Sequence, residues 1–390
     1  MAMRRRRHAL VASVLIAALF LLLRPTKLKR TAFSATGRSW WAKLQFFHGR
    51  LASSCTPRHT VFFLKTHKCA SSTVQNLLVR YGERHGLTFA LPPSGVYLGH
   101  PDFLNRTMAQ GTPPFDMLVH HTRFQEVEAR ALLKPDPVFV TIVREPASLF
   151  ESLYSFNDLE KTYNVRLEEL QNATKNASLV KKIFRTLPGR SGGSLGLNQM
   201  SYDLGFDIEQ SQNDSAVRHF IERVDAVFDL VMVAERMNES LVLLRHLLCW
   251  NLNDVIVFKL NARQSDFRRS LSAELTAELR ALNSVDTLLY EYFTQRFERH
   301  IEAFGRLRMK KEVYLLERRM SFWYQRCVGE TISTNNTKIS YTRKVLLLKP
   351  RNASAYVCKR MTEPELLITK RLRKKKRTVG AVARFLRWII

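Results

Sequence analysis

The sequence predicts an α/β domain with a central, mainly parallel sheet and a C-terminal helical region. Three observations carry this. Short apolar runs recur at 61–64, 117–119, 138–143 and 230–234; they are too short for helices and apolar throughout, as strands buried on both faces are. Helical stretches stand between them, the alternation that gives parallel strands joined by crossover helices. Residues 270–327 then carry helical periodicity with few breakers, so helices take over from the sheet.

In chain order, Arg4–Arg7 precede an apolar run from Ala9 to Leu23, and Arg24, Lys27, Lys29 and Arg30 follow it. The run is at or below the lower limit of about 17 residues for a spanning helix. No small-x-small cleavage site follows Leu23, so a signal-anchor is the first reading and a cleaved signal peptide the second. A buried helix is the weakest reading, because no polar face interrupts the run. Basic residues on both sides leave the positive-inside rule silent. The sequons decide the side. Asn-x-Ser/Thr occurs at Asn105, Asn172, Asn176, Asn213, Asn238, Asn335 and Asn352, against about two expected by chance from this composition. The expectation is a lumenal chain: a cytosolic tail at 1–8, a span at 9–23 suited to a thin early-secretory or Golgi bilayer, and a stem at 24–58.

The main domain is expected at 59–330, with an extension at 331–369 and a basic tail at 370–390. Inside the main domain, Val61–Leu64 leads through a polar loop to a helix from Thr73 to about His85. Met117–Val119 and Val138–Val143 follow as strands. Leu230–Ala234 and Val255–Phe258 are further apolar runs, with a helix over Glu239–Trp250 between them. Residues 155–200 read as loop-rich, and no internal repeat is visible.

Hydrophobic residues at 45% and charged residues at 25% are globular values. The net charge of +28 is not ordinary, and 17 of those charges sit in residues 1–30 and 370–390, which hold no acid. The remaining basic excess suits an anionic ligand without naming nucleic acid. Five cysteines, at 55, 69, 249, 327 and 358, show no zinc spacing, so no metal site is expected. One or two disulfides suit a lumen, Cys327–Cys358 first among them, with one thiol left over.

The chemistry concentrates in Lys65-Thr66-His67-Lys68-Cys69-Ala70-Ser71-Ser72-Thr73. A loop between a strand and a helix start presents free N–H groups and the positive end of the helix dipole, which together bind anions. Two lysines and several hydroxyls add charge and donors. The GxxxxGK[ST] spacing is absent, which disfavours a nucleoside triphosphatase or kinase. A second stretch, Val140–Val143 then Arg144-Glu145-Pro146, puts Arg144 at the C-terminal edge of a strand, with Ser152 about two helical turns on. An arginine with a hydroxyl suits a terminal phosphate.

These stretches together resemble the Golgi galactose-3-O-sulfotransferases. The loop 65–73 is similar to that family's 5′-phosphosulfate loop, and Ile142–Pro146 through Phe150-Glu151-Ser152 to its 3′-phosphate motif. His120-His121-Thr122-Arg123-Phe124, Tyr202–Asp207, Glu239–Leu244, Lys259–Arg263 and Leu87–Pro92 are similar too. The resemblance runs from about residue 58 to 330 and more faintly to Glu365. It implies a P-loop-like sulfotransferase fold, the donor 3′-phosphoadenosine 5′-phosphosulfate (PAPS), and as acceptor the 3-hydroxyl of a β-galactose on a glycan or glycolipid at a Golgi membrane.

On that resemblance Lys68 attends the leaving 5′-phosphate, Lys65 helps it, and Ser71, Ser72 and Thr73 donate at the helix start. Arg144 and Ser152 hold the 3′-phosphate. A histidine is the expected base, since its ordinary pKa allows the neutral form at Golgi pH. His121 is the first candidate, followed by His67 and His120. Cys69 departs from the family's Thr or Ser, leaving open a weaker donor contact or a reactive thiol beside Lys65 and Lys68. The basic tail is expected as a solvated segment, with contact to anionic glycans or a membrane as the alternative. Rival readings are a sulfotransferase for another carbohydrate hydroxyl and a non-catalytic anion- or nucleic-acid-binding protein. A homo-oligomer stays open.

Overall fold

The computed structural model describes residues 55–171, 175–176, 196–260, 262–333, 339–340, 342 and 344–376. The apolar run 9–23, most of the stem, residues 377–390 and the sequons at Asn172 and Asn335 lie outside the described residues. Among the described residues, no helix is long and apolar enough to cross a membrane.

Four parallel strands form the central sheet: β1 (Val61–Leu64), β2 (Met117–Leu118), β3 (Val138–Val143) and β4 (Leu230–Val233), in the order β2-β1-β3-β4. Val61 pairs with Met117 on one side and Val138 on the other, and Val140 pairs with Leu230. Every residue of β1, β3 and β4 is buried, which is why these strands read as unbroken apolar runs. Phe62, Phe124, Phe139 and Phe228 pack together about the sheet, with ring centroids 5.1–6.5 Å apart.

Helix α1 (Ser71–Arg84) leaves β1 towards β2. After β3 the chain runs the other way, through α3 (Pro146–Phe156), to β4. Connections that diverge from adjacent strands open a crevice at the strands' C-terminal ends. Here that crevice lies beyond Leu64 and Val143.

Between these elements come α2 (Glu126–Leu132), α4 (Leu159–Tyr163), α5 (Gln199–Asp203) and α6 (Asp214–Val227). Helix α7 (Met237–Leu248) follows β4. Helices α8 (Ala273–Leu282), α9 (Ser284–Phe304) and α10 (Arg306–Cys327) are the expected helical region. The run Val255–Phe258 is not a strand. Ile256 and Phe258 instead enter a small second core with Cys327, Val328, Cys358 and Met361. Over it lies an antiparallel sheet of β5 (Ala262–Arg263), β6 (Val328–Ile332) and β7 (Val345–Pro350), in the order β5-β7-β6, followed by α11 (Tyr356–Met361).

Cys327–Cys358 is bonded as expected, and Cys55–Cys249 forms a second disulfide that ties the end of the stem to the C-terminus of α7. Beside it the Arg58 N–H donates to Leu248 O at 2.9 Å and Trp250 Nε1 donates to Arg58 O at 3.0 Å, so residues 55–58 are already part of the fold.

The chain also stays folded past position 370. A last helix, α12 (365–376), runs through the point where the sequence reading begins a solvated tail. Ile368 and Leu372, one turn apart, are buried in the main core, and Arg371 reaches Glu363 at 2.7 Å. Two apolar residues at i, i+4 give a mostly basic segment one buried stripe.

Candidate active site

The crevice holds a cavity of about 440 Å³. Of the residues expected from sequence, Lys65, His67, Lys68, Ala70, Ser71, Ser72, Thr73, His121, Arg144 and Ser152 line it; Thr66, Cys69 and His120 do not. Lys259, Arg263 and Arg268 add basic groups from the β5 side.

The loop makes a tight path without glycine. Lys68 and Ala70 adopt φ of 56° and 59°, the left-handed region that costs a non-glycine residue energy. Buried hydrogen bonds hold them there. Thr66 Oγ1 donates to Ile142 O at 2.6 Å, clamping the ends of β1 and β3 together, and Ser71 Oγ donates to Thr66 O at 2.6 Å. Thr66 is therefore a structural clamp. The result is a helix start with no side-chain cap and no acid in its first turn. Helix α3 differs: Glu145 accepts from the N–H groups of Ala147 and Ser148, with Pro146 in the first turn. The carboxylate already satisfies that terminus, so the start of α1 is the one of these two helix termini left open to a ligand.

Lys68 and Arg144 are among the cations that face this opening without a carboxylate partner among the described residues. Lys68 Nζ lies 3.4 Å from the Phe156 ring centroid. Burial, followed by the charges of Arg144, Arg263 and Lys65, pushes its pKa down to about 7, with Glu365 opposing. Arg144 donates through Nη1 to Lys68 O at 2.8 Å, bringing both motifs into one site. Arg263 is spoken for by Glu151, with Nη1 2.7 Å from Oε1.

The histidines separate by environment. His67 Nδ1 lies 2.8 Å from Asp203 Oδ2, and the His67 backbone N–H donates to that same oxygen at 2.8 Å. A carboxylate only accepts, so in the neutral ring the His67 proton sits on Nδ1 and Nε2 presents its lone pair, 3.4 Å from the Tyr97 hydroxyl. Burial alone would raise the Asp203 carboxyl, but His67 and His100 hold it well below the usual range. His121 stacks on His67 at 4.3 Å, and its Nε2 is 2.7 Å from Lys65 Nζ. Burial and then the Lys65 charge push its pKa well below the ordinary value. His120 turns away to Thr369 Oγ1 at 3.1 Å, with burial taking its pKa down to about 3.

Cys69 is fully buried and its Sγ donates to His67 O at 3.2 Å. Burial pushes the thiol pKa up, against the lowering expected of a reactive cysteine.

Three participants were missed. Asp203, at the end of α5, and His100 join His67 in a cluster whose ligand-type atoms all lie within 4.8 Å of one another, assembled from three distant segments that no sequence spacing reveals. Glu365 comes from α12, its Oε2 3.1 Å from Lys65 Nζ and 2.9 Å from Ser72 Oγ.

Comparison with known proteins identifies the family. The sequence model described as galactose-3-O-sulfotransferase matches residues 1–376. Galactosylceramide sulfotransferase of Bos taurus is 39% identical over 271 residues, 68% of this chain and 63% of its own length. Galactose-3-O-sulfotransferase 3 of Homo sapiens is 40% identical over 281 residues, 70% of this chain and 64% of its own. Galactose-3-O-sulfotransferase 2 of Sus scrofa is 33% identical over 337 residues, 81% and 84% respectively. The matched region thus spans a little under two thirds of the bovine and human relatives. A family model matched over nearly the whole chain, with relatives 33–40% identical, places the protein in the galactose-3-O-sulfotransferase family.

Proposed function

We propose that this protein transfers a sulfuryl group from PAPS to the 3-hydroxyl of a β-galactose on a glycan or glycolipid, using a P-loop-like sulfotransferase fold in the Golgi lumen behind an N-terminal membrane anchor. One observation carries the reading: Lys68 and Arg144 share a cavity with the uncapped start of α1, and neither has a carboxylate partner among the described residues. Partly buried cations without counter-ions fit a ligand that brings several negative charges.

The residues divide the work. Lys68, Thr73 and the first N–H groups of α1 bind the 5′-phosphosulfate, the Ser72 hydroxyl being committed to Glu365, and Arg144 with Ser152 takes the 3′-phosphate. Acceptor oxygen attacks sulfur in line; a new O–S bond forms as the bond from sulfur to the 5′-phosphate oxygen breaks. His67 Nε2 takes the hydroxyl proton, while Asp203 orients the ring and stabilises the imidazolium. Lys68 offsets the charge growing on the leaving phosphate. His67 is preferred to His121 as base because His121 Nε2 already faces the Lys65 ammonium.

The donor assignment is tested by nucleotide binding to the full-length protein. Arg144→Ala should weaken binding of adenosine 3′,5′-bisphosphate by about tenfold or more and leave adenosine 5′-monophosphate unaffected. Equal weakening of both nucleotides, or of neither, would refute the role of Arg144.

A further inference from the structure

Glu365 opens α12 and is only 5% exposed, yet it lines the cavity. Its Oε2 accepts hydrogen bonds from Ser72 and Lys65. Its Oε1 has no hydrogen-bond partner among the described residues. A buried carboxylate oxygen without a donor is costly, and a ligand that supplies one removes the cost.

The position of Glu365 narrows what that ligand group is. Ser72 belongs to the first turn of α1, where the anionic donor binds. Lys65 links Glu365 to His121, which stacks on His67 and lies 5.1 Å from the Tyr97 ring. Glu365 therefore stands where the two substrates meet. Charge repulsion bars an anion from Oε1, so the group must be a donor such as a hydroxyl. A sugar that presents one ring hydroxyl to sulfur carries others on the adjacent carbons, within reach of a carboxylate beside the first.

The helix keeps Glu365 in place. Thr369 meets His120 at 3.1 Å, Arg371 bonds Glu363 at 2.7 Å, and Lys376 Nζ donates to Phe89 O at 3.2 Å. Recognition groups need that kind of support.

We propose that Glu365 is a specificity-determining residue of the acceptor subsite. Its carboxylate accepts a hydrogen bond from the ring hydroxyl next to the one that is sulfated, and Tyr97, 38% exposed, lies against the sugar's C–H face. This rests on the sulfuryl-transfer reading given above.

The test pairs acceptor and protein changes on full-length protein extracted in detergent. Wild type, Glu365→Ala and Glu365→Gln are assayed with a β-galactoside and its 2-deoxy and 4-deoxy forms, and adenosine 3′,5′-bisphosphate binding is measured in parallel. In wild type, removing one of the two hydroxyls should lower kcat/KM by about tenfold or more, the loss of a hydrogen bond to a charged group. In Glu365→Ala the intact acceptor should already be weakened, mainly through KM, and that deoxy penalty should vanish while nucleotide binding holds. Should the alanine variant not fold, Glu365→Gln carries the comparison, with the same penalty reduced. Unchanged deoxy penalties in a folded variant, or lost nucleotide binding, would overturn the role of Glu365 alone. No transfer by wild type to any β-galactoside would overturn the reaction and this role together.

Discussion

His67 Nδ1 and the His67 backbone N–H both meet Oδ2 of Asp203 at 2.8 Å, a two-point contact that fixes the ring and the loop carrying it. If this pair supplies the base, His67→Ala should lower kcat by about 10²- to 10⁴-fold and leave nucleotide affinity nearly intact. Asp203→Asn should fall between wild type and His67→Ala, with the acid limb of the kcat profile moved to lower pH, because the imidazolium loses its adjacent carboxylate. His121→Ala should leave that limb in place. A limb that moves in His121→Ala and not in Asp203→Asn would reassign the base.

Lys68 gives a pH signature of its own. Burial and the charges of Arg144, Arg263 and Lys65 set its pKa to about 7. A bound anionic nucleotide favours the ammonium and raises that value, so binding takes up a proton above pH 7. Affinity for adenosine 3′,5′-bisphosphate should be flat below pH 7 and fall above it, approaching about tenfold per pH unit. Calorimetry in buffers of different ionisation heat reads the proton uptake directly. Lys68→Ala should bind more weakly and lose this dependence; a wild type with constant affinity between pH 7 and 9 would contradict it.

The C-terminal helix should matter for stability as well as for the site. Leu372 is buried in the main core, and Leu372→Ala should cost about 2–4 kcal/mol, read as a lower melting temperature. Substitution of Lys375, exposed on the same helix and outside that core, should leave it unchanged. Equal melting temperatures for Leu372→Ala and wild type would return the segment to a solvated tail.

Cys69 should be inert in the folded protein. Its thiol is buried and pushed to a higher pKa, so iodoacetamide at pH 8 should leave it unmodified until the chain is unfolded. Cys69→Ser should keep activity within about threefold, since a hydroxyl can make the same donation to His67 O. Rapid native alkylation with loss of activity would restore the reactive-thiol reading.

What the sequence made legible was local. The Val61–Leu64 strand, its polar loop and the following helix lie within 24 residues, and the Arg144-Glu145-Pro146 turn announces its helix with Pro at the first position. The residues it hid act across long separations: Asp203 is 136 positions from His67, and Glu365 is 300 from Lys65. Such partners leave no spacing to read. Val255–Phe258 misled for a related reason, since apolarity records burial, and burial in the second core needs no strand. Helix α12 was hidden by its charge, its two buried apolar residues outnumbered by Lys and Arg. His120 and His121 are adjacent in sequence, and only the fold turns one to the cavity and the other to Thr369.

The most direct test of the central claim is transfer itself. Full-length protein from mammalian cells is given sulfate-labelled PAPS and a panel of β-galactosyl glycans and glycolipids, wild type beside Lys68→Ala, and the sulfated position is read from the product. Label is expected on the galactose 3-hydroxyl with wild type and almost none with Lys68→Ala. A folded wild type that binds adenosine 3′,5′-bisphosphate yet labels no galactoside, or labels another position, would contradict it.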